Sequence, residues 1–425
     1  MKVLGIAIVG CGTVGSGAAA LIHSRKEAIR QRFGVDLELR HLVDLNHQRV
    51  RELGLPETLF RQDYKEALED PKTQVIVELV GGTGFAYQLI QEAMEHQKHI
   101  VTANKKLLAE KGSEIFSKAR TSRISIGWEA SCGGSIPIVE LLGTAYGPSR
   151  ISVIHAILNG TTNYILTQMQ TRHITYEEAL REAQDEGYAE ADPTLDISGA
   201  DTAHKITLLA GLAFGKTIPL RSVPTYGIQN LKLADAQAGE ELGLTLKLIA
   251  IAEQRQEGFA VRVGPAFLEP DHPLKNVHGV FNGVMVLGSA FGIQTIVGRG
   301  AGSFPTANAV VSDLIQLGLN LSPSFQENFD ILPGLAPEAE ALSDEIVLRK
   351  WLVILPILPG ESPQLSMAQA GLELDSISKL DTPETKVYRM ITQPTSLGTL
   401  RTILGPNARC YPILRTPREV LSAEF

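Results

Sequence analysis

Along the first third of the chain, short apolar runs rich in β-branched residues alternate with longer mixed stretches. Val3 to Val9, Leu37 to Val43, Val75 to Val80, His99 to Thr102 and Ile124 to Gly127 read as strands. Ala18 to Ile22 and Phe85 to His96 read as helical between them. Short apolar runs bounded by turn residues suit strands buried on both faces. Strands alternating with helices predict an α/β fold built on a Rossmann-type, doubly wound parallel sheet.

The pattern changes after residue 130. Ile151 to Leu158 reads as a strand, Asn159 to Asn163 as a turn entering a helix, and Tyr176 to Glu186 as an amphipathic helix. An apolar helix follows at Ile206 to Phe214. Strand-like runs recur at Phe259 to Val263, Gly279 to Val286 and Gln294 to Val297. These predict an α+β domain with a mixed or open sheet. A helix at Ala307 to Leu317 that returned to the first domain would make that domain discontinuous. Leu321 to Lys350, rich in proline and acids, reads as a linker with short helices. Beyond it, Trp351 to Leu355, Leu374 to Ser378, Lys386 to Thr392 and Arg409 to Leu414 read as strands, with Pro363 to Gly371 and Leu397 to Leu404 helical. The expected domains are therefore 1–130, completed by 306–318; then 131–305; a linker at 319–349; and a small α+β domain at 350–425.

Three places carry candidate chemistry. The first is Gly10-Cys11-Gly12-Thr13-Val14-Gly15, set between a strand and a helix. Gly10 permits a tight turn, Gly12 lets the backbone approach a pyrophosphate, and Gly15 lets helix and strand pack closely. The helix N-terminus then offers free N–H groups to phosphates. The plain alternative is a glycine turn without a ligand. Asp44, ending the second strand, suits hydrogen bonds to a ribose diol and favours NAD, whereas Arg49 nearby suits a 2′-phosphate and NADP. Asp44 also reads as a helix cap. Thr102, Asn104 and Lys105 stand at the carboxyl end of a strand, where such sheets place ligands; Lys106 reads as a solvated neighbour.

The second place is the small-residue loop Trp128 to Pro137. Its carbonyls, with the carboxylate of Glu129, suit a monovalent cation, and Cys132 is alternatively a thiol nucleophile. The third is the acid-rich stretch Asp185 to Lys205. Asp201 and Lys205 are four apart and share one helical face, with Glu190 and Asp196 in the loop before them. A lysine among carboxylates on a buried helix suits a proton donor; a structural ion pair is the competing reading. A second glycine loop, Gly298 to Gly302, could close over a cofactor.

Composition narrows the classes. The chain of 425 residues is long enough for two or three domains. A net charge of −8 argues against a nucleic-acid surface. The three cysteines, Cys11, Cys132 and Cys410, are far apart, which fits a reducing cytoplasm and no disulfide framework. No signal-peptide pattern opens the chain, and no apolar run is long enough for a membrane span.

Six ordered motifs resemble homoserine dehydrogenase. They are Val-Glu-Leu-Val-Gly-Gly-Thr at 77–83, Val-Thr-Ala-Asn-Lys at 101–105, Leu-Asn-Gly-Thr-Thr-Asn-Tyr-Ile at 158–165, Gly-Tyr-Ala-Glu-Ala-Asp-Pro-Thr-Leu-Asp at 187–196, Ala-His-Lys at 203–205 and Gly-Ala-Gly-x-x-Pro-Thr-Ala at 300–307. The resemblance spans roughly residues 1–318. It implies reversible reduction of L-aspartate 4-semialdehyde to L-homoserine with NADPH or NADH, in threonine, methionine and isoleucine biosynthesis. By motif, Lys205 is the proton donor and Lys105 assists near the reacting oxygen and the nicotinamide. Glu190 and Asp201 hold homoserine, with Asp196 supporting them. Gly10, Gly12, Thr13, Val14 and Gly15 line the cofactor, and Gly187 and Gly302 approach it from the second domain. Glu129, Cys132, Gly134 and Ile136 match the family's sodium loop, the last three through carbonyls, although Cys-Gly-Gly-Ser departs from its usual residues. The βαββαβ order at the C-terminus looks like the ACT regulatory domain of many such enzymes, although Leu-Pro-Gly at 358–360 departs from its pattern. It makes L-threonine an expected effector, with a small packing or dimerising domain as the alternative reading; a homodimer or homotetramer is the expected assembly. The competing functions are a thiol-dependent semialdehyde dehydrogenase using Cys132 and a non-catalytic nucleotide sensor.

Overall fold

A computed structural model describes residues 2–46, 48–52, 54–319, 336–356, 368, 371–381 and 386–417. The helix expected at 363–371, the Leu-Pro-Gly at 358–360 and the first half of the expected linker lie largely outside these residues, as does the side chain of Arg49. In chain order, the main elements begin with β1 (Lys2–Val9), α1 (Thr13–Phe33), β2 (Val35–Val43), β3 (Phe60–Arg61), β4 (Val75–Glu78), α2 (Phe85–Glu95), β5 (His99–Thr102), α3 (Lys105–Ser122) and β6 (Ile126–Gly127). They continue with β7 (Ile151–Ile157), α4 (Gly160–Arg172), α5 (Tyr176–Asp185), α6 (Ala200–Phe214), α7 (Leu233–Glu240), β8 (Thr245–Arg255), β9 (Gly258–Leu268), β10 (Phe281–Gly288) and β11 (Gly292–Arg299). The last are α8 (Ser303–Leu319), β12 (Trp351–Pro356), β13 (Leu374–Asp381), β14 (Lys386–Thr392), α9 (Leu397–Leu404) and β15 (Arg409–Leu414).

Two compact units result. The first gathers 1–150, 207–220 and 298–339; the second gathers 151–206, 221–297 and 340–425. Residues 131–150 group with the first unit by contacts, as do the glycine loop and helix from 298 onward.

The first unit is a parallel sheet in the order β3-β2-β1-β4-β5-β6. This is the doubly wound order whose switch point lies between β1 and β4, where ligands bind beyond the strand ends. Ile6, Ile8, Val75, Val77 and Val101 are fully buried, as near-continuous apolar strands require. α1 ends on Gly34 in the left-handed region, φ 69°, a stop that glycine adopts without steric cost. α8 lays Ala307, Val310, Val311 and Leu314 into the core that α1, β1 and β2 share. A Cβ on Gly318 would come within 2.4 Å of Val35 Cγ1, so only glycine allows this approach.

The second unit carries a sheet in the order β11-β10-β7-β8-β9-β15-β12-β14-β13. β8 and α7 were not anticipated from the sequence. Leu246 to Ala252 is one continuous buried run containing Lys247, and periodicity alone cannot separate such a strand from a buried helix. Counted locally, the four C-terminal strands stand in the order 4-1-3-2 and pair antiparallel throughout. That is the ferredoxin-like arrangement, compatible with an ACT-like domain. β15 also pairs in parallel with β9, Ile413 with Phe267 and Leu414 with Leu268, so the C-terminal strands continue the larger sheet.

Candidate active site

In the first unit the glycine turn follows β1 directly. Gly10 has φ 95°, and a Cβ there would lie 2.7 Å from the Leu79 carbonyl. A Cβ on Gly15 would lie 2.0 Å from Gly10 O, so α1 can pack this close only without side chains at both places. Gly12 is the N-cap of α1 and brings no capping side chain to its first turn, which includes Thr13, Val14 and Gly15. Their N–H groups are thus left for an anion. Asp44 Oδ2 accepts from Cys11 N at 2.6 Å and Oδ1 from Asn46 N at 2.8 Å. The carboxylate therefore stands on the glycine turn while also closing the turn after β2. Burial pushes the Cys11 thiol up to about 12, with Asp44 adding to the effect. These residues fit a dinucleotide: a bare helix N-terminus, a turn with no room for side chains, and an acid beside it.

Lys105 is set by a platform at the ends of β4 and β5. Glu78, fully buried, accepts from Val80 N and Gly81 N at 2.9 Å through Oε1 and from Thr102 Oγ1 at 2.6 Å through Oε2. Thr102 Oγ1 in turn accepts from Asn104 N at 3.0 Å. Asn104 donates to Gly82 O at 2.7 Å and caps α3 by accepting from Leu107 N. Lys105 is the first residue of that helix and is half-buried, whereas Lys106 is exposed. Sequence reading found Thr102 and Asn104 but not the role of Glu78, which looked like any strand-end acid.

The Glu129 loop is also in the first unit. Glu129 is buried, and its two oxygens accept from Val139 N at 3.0 Å and Glu140 N at 2.7 Å. Its own N–H donates to Asp313 Oδ2 at 3.0 Å. Burial raises Glu129 to about 7 and raises Asp313 well above the carboxylate range. Gly133 and Gly134 take φ 74° and 64°, turning the loop so tightly that a Cβ on Gly134 would lie 2.4 Å from the Gly300 backbone. Ile136 O already accepts from Ile138 N at 2.8 Å. A buried acid on a backbone-rich turn has the chemistry of a cation site, since a cation beside it would keep Glu129 ionised. Cys132 is fully buried, which is unsuited to a thiol that must reach a substrate.

The second unit holds the acid-rich stretch. α6 begins at Ala200, a turn and a half before its apolar run, so Asp201 and Lys205 both lie on it. Lys205 Nζ donates to Asp201 Oδ2 at 2.6 Å and to Leu158 O at 2.7 Å. Both residues are buried. Asn159 joins the group: its Nδ2 donates to Asp196 Oδ1 at 2.7 Å and to Asp201 Oδ2 at 3.1 Å. Its Oδ1 caps α4 by accepting from Thr162 N at 2.9 Å. Asp196 sits on a single helical turn, Thr194–Ile197, rather than in an open loop. Burial raises its pKa, and the Asn159 amide opposes that shift. Thr161 Oγ1 donates to Tyr188 O at 2.7 Å and ties down the Gly187 loop, where Gly187 has φ 73°. Glu190 is exposed, and its carboxylate has no partner among the described residues. The structure thus brings Lys205, Asp201 and Asp196 together and leaves Glu190 open to solvent. Gly302, φ 124°, belongs to the first unit rather than the second.

Two residues behind this group were missed. Asn159 was read only as a turn residue, although Asn before Gly-Thr-Thr is a helix-cap signal. Lys247, fully buried, donates to Asn163 Oδ1 at 3.0 Å and Val277 O at 2.6 Å, and burial lowers its pKa to about 7. Nothing in a lysine flanked by leucines announces that.

A doubly wound nucleotide unit with a buried lysine–carboxylate pair in its companion unit defines the class: a nicotinamide-dependent oxidoreductase. Family models agree and are more specific. One described as homoserine dehydrogenase, NAD binding domain, matches residues 10–129, and one described as homoserine dehydrogenase matches 137–315. The homoserine dehydrogenase of Neisseria gonorrhoeae is 41% identical over 317 residues, 75% of this chain and 73% of its own length. That of Bacillus subtilis is 37% identical over 344 residues, 81% and 79% of the two. A crystal structure of a homoserine dehydrogenase from Thiobacillus denitrificans superposes with a TM-score of 0.90 at 30% identity, covering 98% of this chain and 99% of that one. A hyperthermophilic archaeal homoserine dehydrogenase in complex with NADPH gives a TM-score of 0.63 at 25% identity, covering 75% of this chain and 98% of its own. The chain belongs to the homoserine dehydrogenase family, and its first unit is an NAD(P)-binding domain.

Proposed function

We propose that this chain carries out the family's reaction, the reversible reduction of L-aspartate 4-semialdehyde to L-homoserine, with Lys205 as proton donor. The observation that carries it is the buried Lys205 ammonium, held by Asp201 and the Leu158 carbonyl. The nicotinamide, when bound, supplies the hydride to the aldehyde carbon. Charge then gathers on the aldehyde oxygen. Lys205 stabilises it and gives up a proton, so hydride and proton together make the alcohol. Asp201 and the Leu158 carbonyl aim the ammonium. Asp196 and the open carboxylate of Glu190 suit the substrate ammonium, and Lys105 the oxygen and the nicotinamide. Gly10, Gly12, Thr13, Val14 and Gly15 hold the pyrophosphate, with Gly187 and Gly302 beside the cofactor. In the reverse direction Lys205 must begin neutral to accept the proton of the alcohol.

The same reading assigns a sodium ion to Glu129 and the carbonyls of Cys132, Gly134 and Ile136, supported by the buried acid and the tight turn. It assigns L-threonine as an effector of the C-terminal strands, supported by their ferredoxin-like order. A homodimer or homotetramer and a cytoplasmic location complete it. All three cysteines are free, and no helix among the described residues is long and apolar enough to cross a membrane.

The test is homoserine oxidation by the purified chain, followed at the nicotinamide absorbance with NAD and NADP in parallel, beside Lys205→Ala. Turnover lost in the variant while NADPH binding persists is the expected result. No turnover by folded wild-type protein with either cofactor would sink the reading.

A further inference from the structure

Asn282, the second residue of β10, is 1% exposed, and neither its Nδ2 nor its Oδ1 has a hydrogen-bond partner among the described residues. No other buried side-chain amide among those residues lacks partners at both ends. An amide shut in this way costs stability, and an apolar side chain of similar shape would not carry that cost. Such a group calls for a reason beyond packing.

Its place in the sheet supplies one. β10 pairs antiparallel with β7, and the last register pair is Gly283 with Ile157. One step further along the same ladder, Asn282 stands level with Leu158. Residues level on neighbouring antiparallel strands turn their side chains to one face, with Cα atoms about 5 Å apart. Leu158 is the residue whose carbonyl accepts from Lys205 Nζ at 2.7 Å. The segment just before Asn282 is seated on the same spot. Asn163 Nδ2 donates to Phe281 O at 3.0 Å, and a Cβ on Gly160 would lie 2.7 Å from Val280 O. Gly160 and Asn163 belong to the start of α4, which Asn159 caps while it holds Asp196 and Asp201. The start of β10 is thus fixed against the turn that carries the acids and the carbonyl partner of Lys205.

Proton donation changes what Lys205 can hold. As an ammonium it donates to Asp201 Oδ2 and to Leu158 O together. Once the proton has passed to the substrate oxygen, a neutral amine remains, with one N–H fewer and weaker donors than a charged group. Leu158 is buried, and its carbonyl has two lone pairs to satisfy. We propose that Asn282 is a positioning residue for the reaction, whose amide takes up the Leu158 carbonyl as Lys205 lets it go. Without that amide the lysine stays tied to the carbonyl and turns to the substrate less readily. The exchange rests on the reaction proposed above.

The test is homoserine oxidation by the full chain, with thermal melts beside the kinetics. Asn282→Leu keeps the branched shape and removes the amide. Its Tm should stay level or rise, because the unpaired group is gone. Its kcat should fall about tenfold or more, with KM for homoserine and for the cofactor each within about twofold of wild type. Asn282→Ser and Asn282→Ala differ by one hydroxyl and decide the matter even where Asn282→Leu fails to fold. The serine keeps a donor and should turn over at least about threefold faster than the alanine. Wild-type kcat in Asn282→Leu overturns the proposal; with a lowered Tm it shows an amide held for structure alone. A loss confined to KM for homoserine overturns it too, because Asn282 is then a substrate contact. So does equal kcat in the serine and alanine variants. Absent turnover in the wild type removes the reaction and this role with it, whereas wild-type turnover unchanged in the variants removes the role of Asn282 alone.

Discussion

Lys205 Nζ lies 2.6 Å from Asp201 Oδ2, one helical turn earlier on α6, and both side chains are buried. A buried pair of this kind is costly to break from one side only, because the remaining charge keeps its desolvation penalty. Lys205→Ala should therefore lose both the proton and some stability, with kcat down about 10²–10⁴-fold. Asp201→Asn keeps the shape and a hydrogen-bond acceptor, and should lose less. Steady-state kinetics beside a thermal melt separate the two effects. Equal kcat in wild type and Lys205→Ala would remove the lysine from the reaction.

Asn159 places one amide nitrogen between two carboxylates, Asp196 and Asp201. Asn159→Asp keeps a helix cap for α4 but turns that donor into a third acid. We expect kcat to fall about tenfold or more at neutral pH, with part of the loss recovered as the pH falls and one acid protonates. Asn159→Ala should lose activity at every pH and cost about 1 kcal/mol of cap stability. Superimposable pH–rate profiles for the two variants would contradict this account.

Glu129 has its pKa raised from 4.5 to about 7, chiefly by burial. The folded state thus holds this proton more tightly than the unfolded state. Its contribution is fully present below the unfolded value and declines as the pH climbs to the folded one. Chemical denaturation from pH 4.5 to 7 should show a loss on the order of 1–3 kcal/mol that Glu129→Gln lacks. Sodium bound at this carboxylate would favour its ionised form and flatten the wild-type slope. A slope identical in wild type and variant would show that Glu129 does not titrate in this window.

Asp44 Oδ2 touches the Cys11 N–H of the glycine turn. An acid there accepts from a ribose diol and repels a 2′-phosphate. Asp44→Ser should raise KM for NAD about tenfold and leave KM for NADP unchanged or lower. An unaltered ratio of the two KM values would detach Asp44 from cofactor choice.

The strand–glycine–helix order, Asp201 four before Lys205, and the strand-end Thr102 to Lys105 could be read directly because each rests on local spacing. Local pattern fails where a role depends on a distant partner. Glu78 looks like any strand-end acid until Thr102 closes on it from the next strand. Lys247 hides in an apolar run, and its partners Asn163 and Val277 lie far away in sequence. Residues 131–150 show no strong periodicity, and they group with the first unit through a distant partner, Gln316 donating to Glu140 from a helix that arrives much later. Glu190 matches its motif, yet only the structure shows it exposed while Asp196 is drawn in by Asn159.

α8 supplies Val310, Val311 and Leu314 to the core built by β1, α1 and β2. During synthesis the nucleotide-binding sheet leaves the ribosome long before this helix exists. Until residues 303–319 emerge, Ala18, Ile22 and their neighbours remain an uncovered apolar face, a natural target for a chaperone. Residues 151–206 and 221–297 of the second unit are made in that interval, and its last stretch, 340–425, follows α8, so the nascent chain carries an unfinished first unit through most of the synthesis of the second. A ribosome stalled before residue 303 would hold a Rossmann sheet that is fully paired yet still unsealed.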